Sequence, residues 1–415
     1  MPRLLGRALA GLLLIVSAAH AQTVLTWEQV RERFRANNPN LAASRVAVEQ
    51  SKAQEVTAYL RPNPQATAAL DQIDPFTPDP YRPLGNTLPF LSASYLHERE
   101  HKRELRRDSA RGATAIASSA LADQDRTLLF NLRGAFVGIL HAKEILRLAQ
   151  DNLTYYDRVL EVNRTRQQAG DISEVDLGRL ELQRVQYESD LQNAEVSLRT
   201  AKIQLLSLLD ERTPIEQFDV TGKFDFSEQM MPLEEFHAAA LDARPDLKAA
   251  VQAVVKSQTD HQLAVANGSA DPTFSVDFGR NPPIPAYFGV SVTIPLRLFD
   301  RNQGEKLRTE LDISRNQALV TAGRAQIFSD VDSAYATIAG NIALLRPYKE
   351  KYLQQAATVR DTVSFAYQNG GASLLDFLSA QNDYRNIQLS YLNLVGSYMT
   401  AAGQMNLAVG KEVIP

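Results

Sequence analysis

The sequence predicts a mainly α fold carrying a pair of β-hairpins: a duplicated helix–hairpin–helix repeat. Long coiled-coil helices form an α-barrel, and the hairpins form a transmembrane β-barrel completed by trimerisation. Three observations predict it. The stretch 168–177 recurs, altered, 200 positions later at 368–377. Each copy lies between long runs rich in Ala, Leu, Gln, Glu and Arg, all good helix formers. Each repeat also offers two short segments of alternating polarity, the pattern of half-buried strands.

The 415 residues carry a net charge of −4 and no cysteine. Nothing in that balance points to nucleic acid, and disulfides, thiolate metal sites and cysteine nucleophiles are excluded. Residues 1–21 predict an export signal. Arg3 and Arg7 precede a short apolar core, and Ala19-His20-Ala21 forms a cleavage site. The core is too short to cross a bilayer as a helix, which takes about 20 residues.

The first repeat is expected over 22–211. Residues 26–60 read as helix with a break at Asn38-Pro39, and strands are expected at about 65–71 and 90–96. A proline-rich loop separates the strands. The stretch from Glu98 to Gln168 contains no proline and predicts one helix of about 70 residues, roughly 105 Å long at 1.5 Å per residue. At the tip, Gly170 can end that helix in the left-handed conformation, and Ser173 can cap the next, with Asp176 three residues on. An irregular module, 212–231, follows the helix 174–210.

The second repeat, 232–415, restarts the order. Arg244-Pro245-Asp246-Leu247 answers Asn38-Pro39-Asn40-Leu41, and strands are expected at about 273–279 and 287–296. A helical run from about Gly304 to Gln368 leads to the second tip, with Gly370, Ser373 and Asp376 in the matching places. After each tip, apolar residues step by three and four along the same seam. Leu177, Leu180, Tyr187, Ala194 and Leu205 answer Phe377, Ala380, Ile387, Leu394 and Met405, and Arg184 is the polar misfit. Four strands in one chain cannot close a barrel, and an open sheet edge is not tolerated in lipid. Three copies would supply twelve strands around a lumen lined by Ser, Thr, Asp and Gln.

With these features the chain resembles the TolC-like outer membrane factor family over nearly its whole mature length. The residues that carry the resemblance are the Asn-Pro-x-Leu and Arg-Pro-x-Leu motifs, the junction Thr293-Ile294-Pro295-Leu296, the Gly-x-x-Ser-x-x-Asp tips and the final Leu407-Ala408-Val409-Gly410. The resemblance implies an outer-membrane exit duct of a tripartite efflux or type I secretion system. It implies a homotrimer in outer-membrane lipid with a large periplasmic tunnel, an equatorial belt that includes 212–231, a periplasmic adaptor and an inner-membrane pump. It implies a passive channel with no catalytic residues, resident metal or cofactor. The segment from Tyr95 to Arg107 resembles ducts of heavy-metal exporters and implies a resistance-nodulation-division pump.

The resemblance also assigns site residues. Asp376 matches the first of two acids that ring the periplasmic constriction, and Ser379 replaces the second. Tyr367 matches a tyrosine that locks the closed tip, while Ala372 replaces an arginine. Asp176 is the corresponding acid of the first copy. Gly170, Ser173, Gly370 and Ser373 are the expected adaptor-docking positions.

Two rival readings remain. His97-Glu98-Arg99-Glu100-His101 spells H-E-x-x-H, which on a helix would place two imidazoles for zinc and a glutamate as general base. Basic residues at Lys102, Arg103, Arg106 and Arg107 oppose a cation there, and a solvated helix start is the preferred reading. A soluble periplasmic coiled-coil adaptor would explain the helices but not the hairpins or the duplication.

Overall fold

A computed structural model describes residues 23–414, except 74, 77–79, 81–82, 85–86 and 282. The expected export signal and parts of the first proline-rich loop lie outside the described residues. The elements in order are β1 (Thr23–Leu25), α1 (Trp27–Asn37), α2 (Pro39–Ala58), β2 (Gln65–Asp71), β3 (Leu88–Leu96), α3 (Lys102–Ala169) and α4 (Glu174–Leu209). After a 3-10 turn come β4 (Phe218–Val220), α5 (Leu233–Ala243), α6 (Pro245–Asn267), β5 (Thr273–Asn281), β6 (Ile284–Thr293), α7 (Gln303–Pro347), α8 (Leu353–Gln368) and α9 (Leu374–Val409). No helix among the described residues is long and apolar enough to cross a membrane.

The chain divides into two compact units. One comprises 38–134, 226–350 and 397–415 and holds a four-stranded antiparallel sheet in the order β2-β3-β5-β6. Its register sets Gln65, Ser94, Ser275 and Ser291 on one level, and Thr67, Ser92, Asp277 and Gly289 on the next. Because side chains alternate across a strand, these all point to one face. The other face carries Ala66, Ala68, Leu91, Phe274, Val276, Phe278, Phe288, Val290 and Val292. Its large members are left exposed, Val290 by 74%. Across the polar face Ser92 Oγ donates to Asp277 at 2.6 Å, tying one hairpin to the other. The last strand differs from expectation. It begins at Ile284 and stops at Thr293, because Pro295 lacks the N–H a ladder needs.

In the same unit the two proline motifs act differently. Asn38 Oδ1 accepts from the N–H groups of Asn40 and Leu41 and caps α2. Arg244 cannot accept; α6 starts with no side-chain cap. Instead its buried guanidinium holds Asp246 at 2.6 Å and Asp330 at 2.7 Å and donates to the carbonyl of Ala408 near the end of α9. Arg126 donates to the neighbouring carbonyl of Leu407. Two arginines thus satisfy carbonyls that a helix C-terminus leaves open.

The expected run 304–368 is interrupted. Pro347 ends α7, and Tyr348–Tyr352 forms a π-helical turn before α8. Proline removes one ladder donor and crowds the preceding turn, so the helix widens locally. Position 147 of the first repeat is Arg, and α3 runs through it unbroken for 68 residues.

The other unit comprises 1–37, 135–225 and 351–396. Here β1 pairs in parallel with β4, a contact the sequence did not reveal because three-residue strands have no readable period. Asp219 of β4 takes Lys143 at 2.7 Å and lies 3.3 Å from Lys202. Burial raises the Asp219 pKa, but the Lys143 bond and both lysine charges hold the carboxyl below its usual range. This unit also contains both tips.

Candidate functional site: the paired hairpin tips

The two tips are built alike in the backbone. At the first, Gly170 adopts φ +87° and donates to Gln167, while Asp171 donates to Arg166. At the second, Gly370 adopts φ +75° and donates to Tyr367, while Gly371 donates to Ala366. This is the left-handed C-terminal motif in which a glycine closes the last helical turn. Ser173 and Ser373 then accept from the N–H groups of Asp176 and Asp376 at 3.1 and 3.2 Å. All four expected docking positions, Gly170, Ser173, Gly370 and Ser373, are exposed.

The acids diverge. The Asp376 carboxylate reaches back and accepts from Ser373 N at 3.1 Å and Ser373 Oγ at 2.7 Å, a reciprocal capping box. The side-chain bond from Ser373, and then the backbone one, hold the Asp376 pKa below the usual carboxylate range. Asp176 is half-buried and lies 3.8 Å from Arg179 instead. Ser379 is exposed one turn beyond Asp376.

Tyr367 is buried between the tips. Its hydroxyl donates to Asn163 Oδ1 at 3.0 Å, its ring stacks on Phe377 at 4.9 Å, and the Arg166 guanidinium lies 5.3 Å from the ring centre. Burial pushes the phenol pKa up against the opposing pull of Arg166. Tyr156, Leu160, Leu180 and Tyr187 complete the buried cluster, and Ala372 packs against its edge. Tyr156 stacks on Tyr187 at 4.7 Å and donates to the carbonyl of Leu180. A second polar layer lies above: Gln381 donates to Tyr155 and Ser364, each at 3.2 Å. Sequence reasoning found Tyr367 and the seam residue Phe377. It missed Asn163, Arg166 and Gln381, because their partners are remote in the chain. Beside the cluster, α4 leaves Leu182 and Val185 exposed along a groove that also includes Leu378 and Arg385.

Of the expected seam, Leu180, Tyr187, Ala194 and Leu205 are buried on α4 and Phe377, Ala380 and Met405 on α9, while Leu177, Ile387 and Leu394 are half-buried. The misfit Arg184 is resolved by ion pairs to Asp157 at 2.5 Å and to Glu188.

His97 and His101 do not share a helical face. His97 continues the extended chain and donates its N–H to Pro272, while Glu100 and His101 both have left-handed φ, and α3 starts only at Lys102. Glu98 is held by Arg106 at 2.9 Å. The segment braces the hairpin bases instead: Lys102 is buried and bonds Asp271 at 2.6 Å and the Ser269 carbonyl at 2.9 Å. The H-E-x-x-H spelling therefore lacks the helical spacing that zinc chemistry needs.

Comparison with known proteins places this geometry. The sequence profile of the family described as "Outer membrane efflux protein" matches residues 238–411. The cobalt-zinc-cadmium resistance protein CzcC of Cupriavidus metallidurans is 23% identical over 367 residues, covering 86% of this chain and 83% of its own. The second half of the chain thus matches the outer membrane efflux protein family, and most of the chain is similar to CzcC. Another relative in sequence, the pyoverdine export outer membrane protein OpmQ of Pseudomonas putida, is 24% identical over 387 residues, covering 87% of this chain and 80% of its own. Among solved structures, CusC superposes with a TM-score of 0.77 at 15% identity over 93% of this chain and 92% of its own. The open-state MtrE outer membrane channel of Neisseria gonorrhoeae gives 0.73 at 16% identity over 93% and 89%. The fold of this chain is thus the TolC-like fold: long helices with few strands.

Proposed function

We propose that the protein is the outer-membrane exit duct of a tripartite efflux system, a passive channel opened by a periplasmic adaptor. The observation that carries this reading is the sheet. One face is continuously apolar and exposed, the other polar, and both edge strands are open. In lipid those edges must be paired, so three copies close a twelve-strand barrel with the polar face inward. The helices extend into the periplasm, and the tips form the gated entrance. There Tyr367 latches the mouth, with Asp376, Asp176 and Ser379 at the constriction. The adaptor docks at Gly170, Ser173, Gly370 and Ser373, and an inner-membrane pump of the resistance-nodulation-division class supplies the energy. The resemblance of the Tyr95–Arg107 junction to ducts of heavy-metal exporters supports that pump class, and the relative named for cobalt, zinc and cadmium resistance supports a metal cargo.

Fractionation tests the reading. The protein should be released from envelopes only by detergent, with a protein mass three times that of the mature chain, and should give discrete conductance steps in a planar bilayer. Release by a salt wash as a monomer would support the coiled-coil adaptor reading instead.

A further inference from the structure

The two hairpins match residue by residue at their bases, and the match fixes more than their shape. Asn63-Pro64-Gln65-Ala66-Thr67 corresponds to Asp271-Pro272-Thr273-Phe274-Ser275, with a proline before each first strand. Within the hairpins Gln65 pairs with Ser94, and Thr273 pairs with Thr293. Ser94 is therefore the counterpart of Thr293, and Ser275 that of Thr67. In the chain, the first hairpin meets the second through Ser94 opposite Ser275. A closed ring of alternating hairpins has one more kind of junction, where the second hairpin meets the first hairpin of the next copy. Strand stagger around a barrel is shared among its junctions, so hairpins that correspond at their bases take corresponding offsets there.

Resting on the trimeric duct reading, we infer that adjacent copies join through β6 and β2 with Thr293 opposite Thr67 of the next copy. The apolar strap after β6 then covers the end of α2 in that copy. This register sets Ser291 opposite Ala69 on the polar face. On the apolar face it sets Val292 opposite Ala68 and Val290 opposite Leu70, so both faces stay continuous across the seam. Continued past the strands, it brings Leu298 and Phe299 beside Pro62 and Arg61, next to Leu60. Those apolar groups are uncovered within one chain: Leu296 is 80% exposed, Phe299 91%, Leu60 61% and Val56 66%. The strap continues directly from the open edge of β6, which assigns it to the neighbouring copy.

The chain has no cysteine, so pairs can be introduced without removing any. The test is copper–phenanthroline oxidation of the full-length protein in outer membranes, read as covalent trimer on denaturing gels. Thr67→Cys with Thr293→Cys should crosslink several-fold more than Gln65→Cys or Ala69→Cys with the same partner. Phe299→Asp and Leu60→Asp should each lower the temperature at which the detergent-solubilised trimer dissociates. A best crosslink at another pair overturns the register, and a trimeric mass with channel conductance then leaves the duct reading intact. Unchanged dissociation in both aspartate variants overturns the strap contact. A monomeric mass in detergent removes the duct reading, and this inference with it.

Discussion

The two tips share a backbone and differ in what they do with it. Both end on a left-handed glycine and restart on a serine cap. The first offers Gln167 where the second offers Tyr367, and Leu177 where the second offers Phe377. The second tip therefore inserts a stacked aromatic pair into a pocket built by the first, with Asn163 as polar anchor. The second also closes its cap reciprocally, while the acid of the first turns to Arg179. A duplicated turn supplies a buried aromatic insert on one side and its receptacle on the other. The same division appears elsewhere: Asn38 caps its own helix, while Arg244 clamps α9, the helix that leaves the second tip.

The largest effect that should sharpen this contrast is at that clamp. Arg244→Ala strips a buried cation from two carboxylates and is expected to cost about 3–5 kcal/mol. Asn38→Ala loses a cap and should cost about 1 kcal/mol. Thermal unfolding in detergent ranks the two, and equal losses would break the asymmetry. At the latch, Tyr367→Ala removes a buried aromatic and should cost about 3–5 kcal/mol of local packing. Tyr367→Phe removes only the hydroxyl and should cost about 1 kcal/mol, leaving Asn163 Oδ1 without its donor. Protease sensitivity at the tips should follow that order.

The smallest expected effect is titration of the second cap. Asp376 has a folded pKa below the usual carboxylate range, so its contribution is present above that range. It is lost as pH falls through the depressed folded value. Protection of the Ser373 and Asp376 amides, taken relative to their intrinsic exchange rates, should fall on acidification, and Ser373→Ala should abolish that dependence. Exchange that ignores pH beyond its intrinsic rate would remove the capping box from the account.

Much of this was legible in sequence because it is local or periodic. Gly170 and Gly370, the serine caps, the seam residues and the alternation of β2 and β5 all declare themselves within a few positions. The period also exposed Arg184 as a misfit, though not its partner Asp157. What escaped depends on tertiary contact. Tyr367 and Asn163 are 204 residues apart, and no local pattern links them. Arg244 reads as a helix start, and only the packing of α9 beside it turns it into a clamp. The left-handed Glu100 and His101 were hidden by a spelling that is meaningful only on a helix.

The most direct test of the latch is single-channel conductance of the purified protein with Tyr367→Ala against Gln167→Ala, the aligned positions of the two tips. The account predicts a several-fold higher conductance for Tyr367→Ala and wild-type conductance for Gln167→Ala. Equal conductance in the two variants, whether raised or unchanged, would contradict it.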